Sequence, residues 1–269
     1  MIMKYRFLIT RRVIQIGLLT LYILGNLGVV RILEGNLSGS LVFGVIPLSD
    51  PYAILQLFFA GSVVGASAIL GAVIIALFYG ILVGRAFCAY VCPMNLVTDF
   101  AAFLRRNLKV ESLGNLVFFS TRLKYYILAL SLILSLICGI AAFEAISPIS
   151  MLHRAIIFGV GFGLFGAVAV FLLDLFVSKN AFCGSICPLG AFYSLISRFA
   201  ILRVKYNLDS CTKCLECKKI CPQKQVLGII TKESGSIKSG ECTRCGRCIE
   251  VCGDNALSFS LFDFYKEKK

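Results

Sequence analysis

The clearest chemistry in the chain lies in eight cysteines near its C-terminal end. Cys211, Cys214, Cys217 and Cys221 are spaced two, two and three residues apart and lead into Pro222. Cys242, Cys245, Cys248 and Cys252 repeat that spacing, with Gly253 where the first run has proline. Thiolates placed so closely let one loop wrap an iron–sulfur cubane. Zinc sites more often use separate Cys-x2-Cys pairs, and disulfide frameworks belong to small secreted chains.

In bacterial two-cluster ferredoxins the fourth cysteine of each run ligates the other cluster. The spacing therefore assigns Cys211, Cys214, Cys217 and Cys252 to one [4Fe–4S] cluster. It assigns Cys242, Cys245, Cys248 and Cys221 to the second. A domain of about 60 residues has little core of its own, so its clusters are expected to hold it folded.

Four further cysteines form two Cys-x3-Cys-Pro pairs, Cys88/Cys92 before Pro93 and Cys183/Cys187 before Pro188. Residues i and i+4 share a helix face, and a thiol ahead of a helix start is favoured as thiolate. Together these cysteines could bind a third metal centre, form redox-active disulfides, or simply pack. Haem c would need Cys-x-x-Cys-His, which neither pair has. Bis-histidine haem b is excluded, because His153 is the only histidine.

Glu144 and His153 are the candidate proton acceptors for a quinol, since both titrate usefully when partly buried. The alternative is that they anchor the chain at the membrane interface. Asp174 is a further ionisable group at the end of an apolar run. Cys138 reads as a packing residue.

The elements that must position these groups are apolar. Of 269 residues, 58% are hydrophobic and 15% charged, which is too apolar for one soluble core. Apolar runs near Val13–Val30, Tyr52–Val83, Tyr125–Phe143 and Ala155–Val177 each approach or exceed the roughly 20 residues of a transmembrane helix. Lys4, Arg6, Arg11 and Arg12 flank the first run. Arg85, Arg105, Arg106, Lys109, Arg122 and Lys124 fill the segment between the second and third. The positive-inside rule then puts both termini and the Cys-rich tail in the cytoplasm, where thiolates stay reduced. The formal charge of +13 is explained by this retention. No nucleic-acid module is recognisable.

Ala86-Phe87-Cys88 recurs as Ala181-Phe182-Cys183, each copy following an outside-to-inside run. A stretch with helical apolar spacing comes next in both: Leu96, Val97, Phe100, Phe103 and Leu104 in one, Phe192, Leu195, Ile196 and Phe199 in the other. The expected fold is an α-helical membrane protein with four transmembrane helices, arranged as two repeated pairs with interfacial helices. A small C-terminal α+β domain of the bacterial 2[4Fe–4S] ferredoxin type completes it. The boundary falls between 1–206 and 207–269.

Several stretches resemble the NapH family of ferredoxin-type membrane proteins over almost the full length. They include Gly35-Asn36-Leu37-Ser38, Pro47-Leu48-Ser49-Asp50-Pro51, Ser150-Met151-Leu152-His153-Arg154 and Cys187-Pro188-Leu189-Gly190, together with both cysteine runs. The resemblance implies a multi-pass protein of the bacterial inner membrane that serves a quinol dehydrogenase. Electrons from menaquinol or ubiquinol would pass toward periplasmic nitrate reductase, with a NapG-type periplasmic iron–sulfur partner and a cytochrome c. Two other families share parts of the plan. A CcoG-type copper-handling oxidase-assembly protein would carry a further C-terminal domain, and a NosR-like regulator a periplasmic flavin domain.

Overall fold

The computed structural model describes residues 5–108, 119–159 and 163–261. Lys4 and Lys109, read above as flanking charges, lie outside them, as does the stretch 160–162 within the fourth apolar run. Contacts divide the described residues into two units. One gathers those within 1–14, 78–90 and 193–269, and the other those within 15–77 and 91–192.

The larger unit is helical with one small sheet. Helix α1 (Arg6–Asn26), which belongs to this unit from Gln15 onward, is the longest helix described. Strands β1 (Leu33–Gly35), β2 (Gly39–Val42) and β3 (Ile46–Ser49) follow it as an antiparallel meander, with Leu33 opposite Val42 and Leu41 opposite Pro47. The second apolar run is not one helix. Within this unit it folds as α2 (Pro51–Phe59), a turn and α3 (Ala66–Leu77); the π-helical segment Phe78–Val83 that follows belongs to the smaller unit. Asp50 caps α2 by accepting from the Tyr52 N–H, and Pro51 takes the first turn, where its missing N–H costs nothing. Strand β3 lies against α3, so closely that a side chain on Gly71 would meet the Pro47 and Ser49 backbone.

The fourth run is divided in the same way. Helix α8 (Pro148–Phe158) has Ser147 as its cap and Pro148 in its first turn. It ends at Gly159, whose φ of +71° is a left-handed conformation that favours glycine. Helix α9 (Gly163–Leu172) then packs back on α8, Gly163 against Met151 and Ala155, Gly166 against Pro148. A π-helical segment Leu173–Val177 continues it. The third run is α6 (Leu123–Cys138), of 16 residues, followed by the short α7 (Ala142–Ile146).

Among the described residues, Arg6–Asn26 and Ala66–Val83 are long and apolar enough to cross a membrane. Leu123–Cys138, Pro148–Phe158 and Gly163–Val177 are apolar but shorter; at 1.5 Å per residue the first of these reaches about 24 Å.

After each Cys-x3-Cys-Pro motif comes an amphipathic helix, α5 (Met94–Asn107) and α10 (Pro188–Ile196). The packed face of α5 is Met94, Thr98, Ala101, Ala102 and Arg105, while Phe100 and Phe103 point outward. In α10 and just beyond it, Leu195 and Phe199 are likewise exposed and Ala191 and Tyr193 fully buried. The apolar residues picked out by periodicity are thus partly the outer ones. Small residues make the close helix contacts.

The smaller unit holds the C-terminal α+β fold. Strands β4 (Arg203–Tyr206), β5 (Gly235–Ser236) and β6 (Leu257–Ser260) form an antiparallel sheet in the order β5-β4-β6. Short helices α11 (Glu216–Ile220) and α12 (Arg247–Glu250) follow the two cysteine loops. The core is Val204, Tyr206, Leu227, Ile230, Ile237 and Leu257, with cysteines on its border.

Candidate functional site

The two cysteine loops share one backbone. Lys213 and Leu215 have φ of 61° and 63°, and the equivalent Arg244 and Gly246 have 50° and 75°. A left-handed non-glycine residue costs of order 1–3 kcal/mol, so three of these four positions store strain that something must hold. In the first loop the Lys213 N–H points at the Cys211 sulfur, 3.3 Å away. Such N–H···S contacts are what a loop folded around a sulfur-ligated cluster presents.

A small pocket opens between the second loop and the core, and Cys221, Cys242, Cys245 and Cys248 all line it. Burial pushes the Cys221 thiol up to about 12, with the charges of Cys245 and Cys242 adding to the effect. Burial likewise raises Cys248 well above the ordinary thiol range, reinforced by Cys245, Cys242, Cys221 and Cys217. On the other side Cys217 is raised by burial and then by Cys252, Cys214 and Cys211. Cys252 is thus among the groups that act on Cys217, and Cys221 lines the pocket of the second run. Buried thiols this close repel each other as thiolates unless a cation replaces their protons, so the donor set fits a metal–sulfur cluster. Among the described residues no three Cys, His, Asp or Glu side chains converge on a single-ion position. All thirteen cysteines are free of disulfides.

The two halves differ in their surroundings. Cys214 is exposed, whereas Cys245 and Cys248 are buried. Lys213 is exposed, but Arg244, its equivalent, is 3% exposed and donates to the carbonyls of Leu202, Cys242 and Ser197 at 2.5, 3.2 and 3.4 Å. Its guanidinium rests on Gly84, where a Cβ would lie 1.8 Å from one nitrogen. Gly84 has φ +69°, so both its conformation and its missing side chain are used. Arg85, 1% exposed, donates to the Glu241 carbonyl at 3.3 Å. Burial raises Cys242, while the Arg244 N–H and the charges of Arg244 and Arg85 draw it back toward thiolate. The second half is also held by the start of α1: Phe7 meets Gly246 and packs edge-on to Phe259, and the Leu8 N–H donates to Glu250.

The motif cysteines do not share helix faces as i,i+4 pairs. Cys88 is on the short helix α4 (Phe87–Tyr90) and Cys92 lies beyond it. Cys183 is in a π-helical segment Phe182–Ile186 and Cys187 just after. Cys92 and Cys187 are buried, and Cys88 and Cys183 half-buried. Cys187 precedes α10 and accepts from the Gly190 N–H at 3.4 Å, an arrangement suited to thiolate. The Cys92 carbonyl accepts from Gln15. Asp174, 1% exposed, fixes the second motif by accepting from the Phe182 N–H at 3.1 Å, and Arg105 on α5 donates to the Asp174 and Leu175 carbonyls at 3.3 and 3.0 Å. Arg85, Arg105 and Lys124, read above as positive-inside charges, are all buried: Arg85 and Arg105 donate to backbone carbonyls and Lys124 lies over the Tyr125 ring.

Glu144 and His153 lie in the larger unit. Glu144 accepts hydrogen bonds from Ser38 and, at 3.0 Å, from Ser150, and pairs with Arg154 at 3.2 Å. Its own N–H and that of Phe143 donate to the buried Gln56. His153 is 1% exposed, edge-on to Tyr22 at 4.9 Å, and neither ring nitrogen has a hydrogen-bond partner among the described residues. Periodicity did not find Gln56 or Tyr22, because each sits inside an apolar run; their polar ends were the available signal.

Comparison with known proteins adds three findings. The family described as a 4Fe-4S binding domain matches residues 64–111 and again 160–208, and a 4Fe-4S dicluster domain matches 203–253. The chain is 38% identical to the ferredoxin-type protein NapH of Haemophilus influenzae, over 95% of this chain and 90% of that one. It is 41% identical to the methylamine utilization ferredoxin-type protein MauN of Paracoccus denitrificans, over 88% of this chain and 84% of the relative. The NapH of Escherichia coli is 34% identical over 96% of this chain. No solved structure gives a significant match.

Proposed function

Because the chain belongs to the family of ferredoxin-type iron–sulfur proteins that includes NapH and MauN, we propose that it is the membrane electron-transfer subunit of a quinol dehydrogenase. The observation that carries the reading is the gathering of Cys221 with Cys242, Cys245 and Cys248 around one cavity. On this reading Cys211, Cys214, Cys217 and Cys252 hold one [4Fe–4S] cluster and the cavity cysteines hold the other. When bound, each cluster supplies a one-electron carrier.

The chain's own residues do the rest. The loops wrap and insulate the clusters, and Glu144 and His153 take the protons released from menaquinol or ubiquinol. Residues 1–206 form a four-span domain of the bacterial inner membrane, with α5 and α10 at its interface and Phe100, Phe103 and Phe199 toward lipid. Residues 207–269 form the ferredoxin domain in the cytoplasm. Cys88, Cys92, Cys183 and Cys187 serve a third metal or redox centre, supported by the double match of an iron–sulfur family to their segments. A NapG-type periplasmic iron–sulfur protein and a cytochrome c carry the electrons onward to nitrate reductase.

The equally similar MauN proteins favour a second reading, in which the same machinery serves methylamine utilization. Deleting the gene separates the two: growth with nitrate as oxidant is lost under the first, growth on methylamine under the second. For the shared core, protein isolated without oxygen should carry about eight irons per chain, or about twelve with a third cluster. Adding a quinol analogue to the protein with its partner should change the EPR signal of the clusters. Iron-free protein, or clusters that never change redox state, overturns the proposal.

A further inference from the structure

We propose that Arg244 and the Gly84-Arg85 turn make the cluster bound by Cys221, Cys242, Cys245 and Cys248 the higher-potential one of the pair, so that an electron entering the domain settles there. The inference rests on the two-cluster reading above.

The two cysteine runs are matched in spacing and in backbone, so the difference between them lies in what surrounds each. Position three of the first loop is Lys213, a solvated charge screened by water and salt. Position three of the second is Arg244, buried and fixed by three carbonyls. A second guanidinium, that of Arg85, is also buried and bonds to Glu241, the residue before Cys242. Both stay charged at any working pH. Adding an electron to a thiolate-ligated cluster adds negative charge, and a fixed cation in a low-dielectric setting favours that state.

Burial of Cys245 and Cys248 acts in the opposite direction, because a poorly solvated cluster resists extra charge. Two buried guanidinium groups beside the second loop, where the first loop has the exposed Lys213, decide the order.

The repeat shows that this arrangement is built rather than incidental. The second motif copy carries Lys179-Asn180 where the first has Gly84-Arg85. The first copy alone has the glycine that leaves room for the Arg244 guanidinium and the arginine that reaches Glu241. This turn stands three residues before Cys88. The favoured exchange is balanced within the pair: one cluster is oxidised by one electron, the other reduced by one, and no proton moves.

The test is an EPR-monitored redox titration of the full-length protein, isolated without oxygen and carrying about eight irons. The wild type should show two midpoints separated by at least tenfold in electron equilibrium, about 59 mV for one electron. Arg244→Gln should close or reverse that separation, Arg244→Lys should keep most of it, and Lys213→Gln should leave it unchanged. Should Arg244→Gln lose iron, Arg85→Gln carries the test, since it leaves the three Arg244 hydrogen bonds in place; it should narrow the gap severalfold. Coincident wild-type midpoints in protein with eight irons overturn this inference alone, as does a separation untouched by the charge-removing variants. Iron-free protein overturns the proposed function itself and this inference with it.

Discussion

Two copies of one backbone, 78–93 and 173–188, pin the same residue by different chemistry. In the first, Tyr79 sits edge-on to Phe87, 5.7 Å between centroids, and Phe87 stacks on Tyr193 at 4.9 Å. In the second, Asp174 stands where Tyr79 does and accepts the N–H of Phe182, the counterpart of Phe87. Each copy passes through a π-helical segment just before its motif, and such segments often mark functional sites. The lesson is that duplication fixed the path of the chain and left the means of holding it free. The first copy holds its chain with packed aromatic rings, and the second with a polar brace between Asp174, α5 and the motif.

The most severe way to break the comparison is to remove the iron. On the proposed function, chelation should abolish hydrogen-exchange protection across β4 and β6, while the Phe182 amide stays protected by Asp174. Loss of both together would mean the second copy has no brace of its own. Next is Arg105→Ala, which strands two buried carbonyls and should cost about 3 kcal/mol in detergent-solubilised thermal unfolding. Gly84→Ala should cost about 2 kcal/mol, because Arg244 is held by three bonds and yields poorly. A cost under about 0.5 kcal/mol would show that the Arg244 side chain yields and that the turn is not built around it. The mildest test is the caps: Asp50→Ala and Ser147→Ala should each cost about 1 kcal/mol, since both copies enter their first helix through a capped proline turn.

Much of this was legible in the sequence because it rests on local spacing. The cysteine runs, the doubled Ala-Phe-Cys and the proline helix starts are contiguous signals. The reversals inside the second and fourth apolar runs were not legible, because hydropathy reports a setting and not a direction. Residues 52–83 and 155–177 stay apolar through the turns after Phe59 and Phe158. The burial of the arginines was not legible for a related reason. Arg85 and Arg105 flank apolar runs, as positive-inside charges do, and only tertiary packing shows that their donors meet the carbonyls of Glu241, Asp174 and Leu175. The meeting of Arg244 with Gly84 links residues 160 positions apart, and neither residue type announces the other.

The contact of Phe7 with Gly246 and Phe259 sets a timetable for biogenesis. At 5–20 residues per second, a ribosome delivers Phe259 roughly 10–50 s after Phe7. Through that interval the opening turn of α1 waits for its aromatic neighbour, and insertion of the later helices must proceed without it. A chain stalled before β6 would lack the Phe259 side of that contact and keep one edge of the Phe7 ring uncovered.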